Sequence, residues 1–227
     1  MGTVKAQRAQ EATRRGISPL LVLLLILLVV ALGLGGVVGW TFFGTNLVAA
    51  RTAEGELAGL KASFAEADPP ADDAAPVVAQ PRSHAAAWIL RIPSLDLEAP
   101  VIAGVDPADL GRGVGWYPGT ALPGQLGNFA IAGHRFSNGE PFRRLLELRV
   151  GDEVVVETPH AAFTYTLISA PGELTVQADD SWVIDPVPGA PDEVPTRAFL
   201  TLTTAEDVIE TLDRAVGFGT LTETETR

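Results

Sequence analysis

The 227-residue chain contains no cysteine, which excludes disulfide bonds, thiolate metal ligands and a cysteine nucleophile. Basic residues are also scarce, because 16 Lys and Arg stand against 28 Asp and Glu, for a formal net charge of -12. Nucleic-acid binding needs a basic surface, so this balance argues against a DNA or RNA partner. Standard catalytic signatures such as HExxH, GxSxG and the phosphate-binding loop are missing too. We expect neither a metal site nor a cofactor.

Charged residues are absent from one long stretch of the chain, between Arg15 and Arg51. Within it, Ile17–Phe43 is almost wholly apolar, and about 20 apolar residues suffice for a helix to cross the hydrocarbon core of a bilayer. We therefore predict a transmembrane helix over 17–43. The alternative is a signal peptide cleaved near Ala50, although the apolar region of such a peptide has only about 7–15 residues.

The positive charges near this segment predict its orientation. Only Arg51 follows the apolar run closely, whereas four basic residues precede it. Because cytoplasmic flanks carry the excess of Lys and Arg, residues 1–16 are predicted to be cytoplasmic and the rest of the chain after 43 extracellular. The preceding basic residues are Lys5, Arg8, Arg14 and Arg15.

Residues 44–87 differ in composition from the segments on both sides. Asn46–Ala67 is rich in Ala, Leu, Glu and Lys and could form a helix, and prolines between Pro69 and Pro81 then interrupt regular structure. With few large apolar residues, the segment cannot offset the entropy lost on ordering, so it is interpreted as a flexible extracellular stalk. His84, within this stalk, is expected to be solvated.

Short runs with strand character recur from residue 88 onward, separated by Gly, Pro and Asp turns. This spacing is typical of an all-β barrel or sandwich, here assigned to 88–222, with 223–227 as a C-terminal tail. The segment Glu140–Leu148 is predicted to be a short helix with Phe142, Leu145 and Leu146 facing the core. The predicted strands are Trp88–Ile92, Asn128–Ala132, Glu153–Glu157, Phe163–Ser169, Ala198–Thr204 and Arg214–Leu221.

Two side chains are candidates for chemistry. His134 ends the apolar run NFAIA and opens into a loop containing Gly and Asn, where exposed functional groups often lie. Arg214 begins a strand otherwise made of small and apolar residues. Taken alone, each also fits a structural interpretation, as a histidine bonded to a neighbouring turn and as an edge-strand arginine paired with a carboxylate such as Asp213.

Several stretches of the chain together resemble the catalytic domain of an actinobacterial class E sortase. The resemblance runs from Trp88 to Leu221, and its most specific parts are the GHR block ending at Arg135 and the TLTT strand ending at Thr204. The matching stretches are IPSLDLEAPVIAGV (Ile92–Val105), GWYPGTALPGQLGNFAIAGHR (Gly115–Arg135), PFRRLLELRVGDEVVVET (Pro141–Thr158), WVIDPVPG (Trp182–Gly189) and FLTLTT (Phe199–Thr204).

The resemblance implies a closed eight-stranded β barrel and a transpeptidase. Sortases cleave a sorting motif of secreted proteins, of the LAxTG type in this class. They hold the acyl part as a thioester on a cysteine and pass it to an amine of the cell wall or of another protein. By the family pattern, His134 protonates the leaving amine and Arg214 hydrogen-bonds the substrate carbonyl or the developing oxyanion, a role that suits a permanently charged guanidinium.

The family's cysteine position is occupied here by Ala205, directly after Thr204. Arg214 lies nine positions later, which is the family's spacing between cysteine and arginine in this class. A methyl group cannot attack a carbonyl, so the resemblance also implies loss of covalent catalysis. Thr203 and Thr204 are not expected to act as the nucleophile instead. Strand alternation turns Thr204 to the opposite face and places Thr203 about 7 Å away.

Three interpretations remain open on the sequence. The chain is an inactive homologue that still binds sorting signals or a partner, an active sortase whose cysteine at position 205 was mutated or misread, or a structural domain of the cell envelope. In all three we expect a barrel in which His134, Ala205 and Arg214 meet at one groove.

Overall fold

The structure is a computed structural model that describes residues 18–39, 44–67, 76–205 and 211–227. The described residues divide into two units, one ending at Thr41 and the other beginning at Phe42. The basic residues used to predict orientation, and most of the proline-rich part of the predicted stalk, lie outside the described residues.

The first unit contains helix α1 (Pro19–Gly39), whose sequence is Leu, Val, Ile, Ala and Gly after the first proline. Its residues 19–37 have a mean hydropathy of 3.1 and are exposed. An exposed helix of this composition has no polar face to present to water, and its length matches the apolar thickness of a bilayer. Among the described residues, this is the one helix long and apolar enough to cross a membrane.

The second unit is built on a nine-stranded sheet of which eight strands close into a barrel. Around the ring the order is β6-β5-β1-β2-β3-β4-β8-β9, and pairing of β6 with β9 closes it, while β7 extends β9 on the outside. The strands are β1 (Ala86–Ile92), β2 (Leu97–Ile102), β3 (Val114–Trp116), β4 (Gly127–Ala132), β5 (Glu153–Glu157), β6 (Ala161–Ser169), β7 (Thr175–Gln177), β8 (Ala198–Ala205) and β9 (Asp213–Thr226). The predicted closed eight-stranded barrel is confirmed.

The barrel interior is filled by the apolar residues that alternate along the strands. Trp88 lies at its centre, with its ring edge-on to Trp116 at 5.6 Å and to Phe129 at 5.5 Å between centroids. Edge-to-face aromatic pairs of this kind add to the burial of their large apolar area. Packing around these rings fixes the positions of β1, β3 and β4, and thereby the loops that follow them.

Two predictions from the sequence are corrected by the structure. Residues 140–148 form turns and a single 3-10 turn at Leu145–Glu147 instead of an α-helix, although Phe142 and Leu145 are fully buried as predicted and Leu146 is half-buried. The proposed C-terminal tail at 223–227 belongs largely to the barrel, because β9 continues to Thr226 and pairs with β6 there. These residues therefore complete the barrel wall.

Helix α2 (Thr45–Ala65) lies in the part of the chain interpreted as a stalk, and it packs on the barrel beside β1 and β2. One side carries the residues that are buried or half-buried, at the three- and four-residue spacing of a helix face. Arg112 Nε donates to Glu56 Oε1 at 2.9 Å, and Lys61 Nζ lies 2.5 Å from Glu98 Oε2. The helix was predicted within 46–67, but the interpretation as a flexible stalk did not include this docking.

A 3-10 turn (Pro93–Leu95) and the short helix α3 (Pro107–Leu110) connect β1 to β2 and β2 to β3. Each begins with a proline, whose fixed φ favours the first helical position. His84, at the start of the barrel unit, is 62% exposed, but its Nδ1 lies 2.8 Å from Oδ2 of the buried Asp109 in α3. It is therefore a paired residue and not merely a solvated one.

Candidate active site

The ends of β8 and β9 place Ala205 and Arg214 side by side. The two residues are direct partners in the antiparallel ladder, where opposite Cα atoms are about 4.5–5.5 Å apart. Both are half-buried. This pairing follows from the seven-residue register that begins at Phe199 and Thr220.

The end of β4 brings His134 toward the same place. β4 runs parallel to β8, and its last residue, Ala132, is level with Thr203. The backbone N–H of Gly133 donates to the carbonyl of Thr203 at 3.2 Å, so the alignment continues one residue further. Two residues past the Ala132–Thr203 pair come His134 on one chain segment and Ala205 on the other.

The imidazole of His134 is half-buried and held by its own loop. Nδ1 lies 3.4 Å from Ser137 Oγ, and the carbonyl of His134 accepts the N–H of Phe142 at 3.0 Å. Gly133 is needed just before it, because a Cβ there would lie 2.6 Å from the buried Phe142 ring. The residues His134–Phe142 form a closed loop, here called the histidine loop.

The guanidinium of Arg214 is oriented by backbone acceptors. Its Nη1 donates to the carbonyls of Thr211 at 2.9 Å and Asp213 at 3.0 Å. Arg214 is also paired with Val176 of β7, so β9 is flanked on both sides at this point. A guanidinium has five N–H donors, and those not used by these carbonyls are available to a substrate oxygen.

Tyr117 belongs to the same region, although no sequence pattern singles it out. It directly follows β3, and its N–H donates to the carbonyl of Ala130 in β4 at 3.0 Å. Burial raises the pKa of the Tyr117 phenol, and the positive charge of Arg214 acts in the opposite direction. The hydroxyl thus stays protonated at neutral pH and lies within electrostatic range of Arg214. Its only signal in the sequence was its place in the stretch Gly115–Arg135.

A buried polar network fixes the strands beneath this site. Asn128 of β4 donates through Nδ2 to the carbonyls of Val183 and Asp185, each at 3.0 Å. The hydroxyl of Thr201 in β8 lies 2.8 Å from Asn128 Oδ1. Because buried amides and hydroxyls are costly without partners, this network ties β4 and β8 to the 3-10 turn Ser181–Ile184.

The threonines next to Ala205 differ from a nucleophile in placement. Thr204 is buried, and its hydroxyl donates to the carbonyl of Gly133 at 2.8 Å. That bond joins β8 to the end of β4 and commits the hydroxyl proton. Thr203 is buried as well and occupies the preceding position of the strand. Neither hydroxyl occupies the position of Ala205.

One group of potential metal ligands exists among the described residues, formed by His84, Asp106 and Asp109, whose ligand atoms lie within 4.8 Å of one another. The carboxylate of Asp109 is already paired with His84, and Nη1 of Arg112 lies 3.9 Å from its other oxygen. These contacts join α3 to the residues before β1. We interpret the group as a structural ion-pair cluster.

Comparison with known proteins agrees with this geometry. A family model described as a sortase domain matches residues 90–222, which is more than half of the chain. The chain belongs to the sortase family. The match begins within β1 and ends within β9, so it includes part or all of every barrel strand and the three strand ends described above.

Three relatives are similar to this sortase domain. Sortase SrtE1 of Streptomyces coelicolor is 36% identical over 147 residues, which are 61% of this chain and 41% of that protein. Sortase E of Streptomyces avermitilis is 35% identical, with a TM-score of 0.57 over 64% of this chain and 93% of that structure. Sortase E1 of Streptomyces coelicolor, solved with a tripeptide in its active site, is 34% identical, with a TM-score of 0.56 over 63% and 91%.

Proposed function

We propose that this sortase-family chain binds sorting-signal peptides of the LAxTG type at the open end of β4, β8 and β9. The observation that carries the proposal is the register that pairs Ala205 with Arg214 and brings the His134 loop beside them. A substrate carbonyl at this point would accept hydrogen bonds from the guanidinium. The tripeptide in the active site of the Streptomyces coelicolor relative supports a peptide as the ligand.

The roles we propose follow from the chemistry of each side chain. Arg214 binds the carbonyl oxygen of the scissile peptide, and His134 holds the proton that a leaving amine needs. The Ala205 methyl supplies no nucleophile, so no thioester forms. Loss of the nucleophile in a comparable covalent enzyme costs on the order of 10⁶-fold in turnover. The chain is thus proposed to be a binding protein built on a transpeptidase frame.

The chain matches different shares of its relatives. The chain spans 41% of the curated Streptomyces coelicolor sortase that it matches, although it spans 93% of the solved Streptomyces avermitilis domain. Peptide specificity and the cell-wall amine that would accept the acyl group are therefore part of the proposal. The acceptor amine applies to this chain only if position 205 carries a nucleophile, whereas peptide binding does not require one.

The first test supplies the missing group. Ala205→Cys should give measurable cleavage of an LAxTG peptide, while the unchanged chain should bind the same peptide without cleaving it. Ala205→Ser is the matched control, because a hydroxyl without an activating base is a much weaker nucleophile than a thiolate. Cleavage is followed by chromatography and binding by fluorescence anisotropy of a labelled peptide.

The outcomes separate the open interpretations. Adding Arg214→Ala to Ala205→Cys should abolish the restored cleavage, because the carbonyl loses its charged donor. Cleavage by the unchanged chain would show that another nucleophile acts. A folded Ala205→Cys variant that neither binds nor cleaves the peptide would refute the proposed function and favour a structural role at the envelope.

We further propose that α1 anchors the chain in the cell membrane as a single span, with the N-terminus in the cytoplasm and the barrel outside. The support is the apolar composition of α1 and the basic residues that precede it in the sequence. Protease added to intact cells should remove the barrel domain. Protection of the domain until the membrane is opened would contradict this orientation.

A further inference from the structure

The N-terminal end of α2 contacts the histidine loop directly. The carboxamide of Asn46 donates through Nδ2 to Glu140 Oε1 at 2.6 Å, and its Oδ1 accepts the backbone N–H of Gly139 at 3.1 Å. One side chain of α2 therefore uses both its donor and its acceptor on two successive residues of the loop. Such a two-point contact fixes orientation as well as distance.

Backbone packing reinforces this contact. A Cβ placed on Gly139 would lie 3.3 Å from the backbone nitrogen of Ala50 and 3.6 Å from Cβ of Ala49. The loop backbone thus packs closely on α2, and a Cβ at position 139 would require a shift of a few tenths of an ångström. Its φ of 81° would strain a larger residue as well.

The loop adopts a conformation that needs external support. Asn138, Gly139 and Glu140 have φ values of 52°, 81° and 52°, so three successive residues are left-handed. This region is uncommon for residues other than glycine, and such conformations persist where surrounding contacts fix them. The contacts here are Asn46 on one carboxylate oxygen of Glu140 and Arg143, at 3.2 Å, on the other.

The supported turn is continuous with the site histidine. Ser137 precedes the left-handed residues, and its Oγ lies 3.4 Å from Nδ1 of His134. The N–H of Glu140 donates to the carbonyl of Ser137 at 3.0 Å, which links the segment held by α2 to the residue beside the imidazole. A displacement of Glu140 is thereby transmitted to Ser137 and to His134.

From these contacts we propose that Asn46 is a positioning residue, which holds the histidine loop on α2 and so sets the place of His134 at the site. The proposal rests on the proposed function only in taking His134 as a site residue. It assigns to α2 a task beyond spacing the barrel from the membrane, since undocking of this helix would release the loop.

The experiment compares two ends of the same helix in the full chain. Asn46→Ala removes the loop contact, and Lys61→Ala removes the contact with Glu98 roughly four turns away. The chain has three histidines, so NMR of labelled imidazoles resolves His134 with His84 and His160 as internal references. We expect Asn46→Ala to shift the resonances and titration midpoint of His134 alone, and Lys61→Ala to leave all three unchanged.

A charge exchange tests whether the contact itself matters. Asn46→Asp alone sets two carboxylates together and should be as disruptive as Asn46→Ala. In N46D/E140Q, the new carboxylate accepts from Gly139 and from the new amide, so the His134 signals should return to those of the unchanged chain. An effect on folding alone would not be reversed in this selective way, and melting temperatures of all variants are measured in parallel.

Turnover provides the second readout. In the Ala205→Cys background, Asn46→Ala should lower kcat about 10- to 100-fold with little change in KM, the size expected for a misplaced catalytic group. Identical His134 signals in Asn46→Ala and the unchanged chain, or no recovery in N46D/E140Q, would overturn the proposal. If Ala205→Cys shows no turnover, the proposed function fails separately, and the histidine signals still decide the role of Asn46.

Discussion

Two regions next to the candidate site are fixed in different ways. One consists of strands β4 and β8, here called the floor of the site, and the other is the face of α2 that packs on the barrel. All six residues of β4 and six of the eight residues of β8 are buried, and Asn128 and Thr201 link the two strands through a buried hydrogen bond. In α2, the buried residues among those whose burial is described are Ala49 and Leu60. Side-chain pairs at Glu56, Lys61 and Asn46 join the rest of its face to the barrel unit.

A cavity of about 190 Å³ shows that α2 packs less completely than the floor of the site. It lies between α2, β2 and the histidine loop, and small residues such as Ala50, Ala53 and Gly113 line it. The cavity is open to solvent on one side, so α2 covers this part of the barrel only partly. Ala205 and Arg214 are therefore fixed by the barrel itself, whereas His134 also depends on a helix that is more weakly attached.

The largest loss of stability is expected from a substitution in the floor of the site. Asn128→Ala removes the donor to the carbonyl of Asp185 and one acceptor of the Thr201 hydroxyl, while that hydroxyl can still donate to the carbonyl of Val183 at 3.0 Å. Because an unsatisfied buried carbonyl is costly, we expect a loss of about 1–3 kcal/mol in the free energy of unfolding. Urea denaturation followed by tryptophan fluorescence measures it. Thr222→Ala, at an exposed hydroxyl of β9, is the control and should change little. An equal effect of both substitutions would contradict the rigid floor.

A smaller effect is expected on the α2 face. Arg112→Ala breaks the ion pair with Glu56 and the hydrogen bond to the carbonyl of His84, and both charged partners are partly exposed. Ion pairs near the surface contribute little, so we expect about 1 kcal/mol or less in global stability. Hydrogen exchange of α2 should nevertheless increase, while that of β4 and β8 stays slow. Arg144→Ala, which breaks the exposed pair with Glu147, is the control and should not affect α2. Faster exchange in β4 would show that the two regions are not independent.

The smallest effect on stability is expected from the pH dependence of the pair formed by His84 and Asp109. The hydrogen bond to Asp109, and then its negative charge, raise the pKa of His84 above 6.5, while nearby Arg112 opposes the shift. A raised pKa in the folded state means that this pair stabilises the fold fully below about pH 6.5 and loses its contribution as pH rises through the folded value. The melting temperatures of the unchanged chain and of His84→Gln should therefore differ most near pH 6 and converge as pH rises through the folded-state pKa. A difference that grows with pH would have the wrong sign.

The strands were predictable where apolar and β-branched residues run unbroken, as in Glu153–Glu157, which β5 reproduces. β2 was missed because Pro100 interrupts it, although the proline is accommodated opposite Ile89 in the ladder. β3 and β7 have three residues each, too few for a period to be recognised. The apolar spacing in 140–148 suggested a helix, but the left-handed residues before Pro141 direct that segment into turns.

The candidate site was predictable only through the family resemblance. His134 and Arg214 are 80 positions apart in the sequence, and nothing local to either indicates that β8 lies between their strands. The docking of α2 was not predictable, because most of its buried or half-buried face consists of alanines and polar residues, with Leu57, Leu60 and Phe64 as its large apolar members. Such a face also fits a helix that is exposed to solvent. The pairing of His84 with Asp109 was missed for a similar reason, since it depends on how α3 is placed by β2 and β3.

The parallel alignment of β4 with β8 also has a consequence for the order in which the molecule is assembled. Gly127 pairs with Ala198, 71 residues later in the chain, so this part of the wall cannot form when β4 first emerges from synthesis or export. Domains dominated by such distant pairings fold in about milliseconds to seconds, because a long loop must close before the contacts are gained. The peptide binding proposed for the β4–β8–β9 edge should therefore appear late in refolding, after the β1–β2 hairpin and the β5–β6 hairpin have formed.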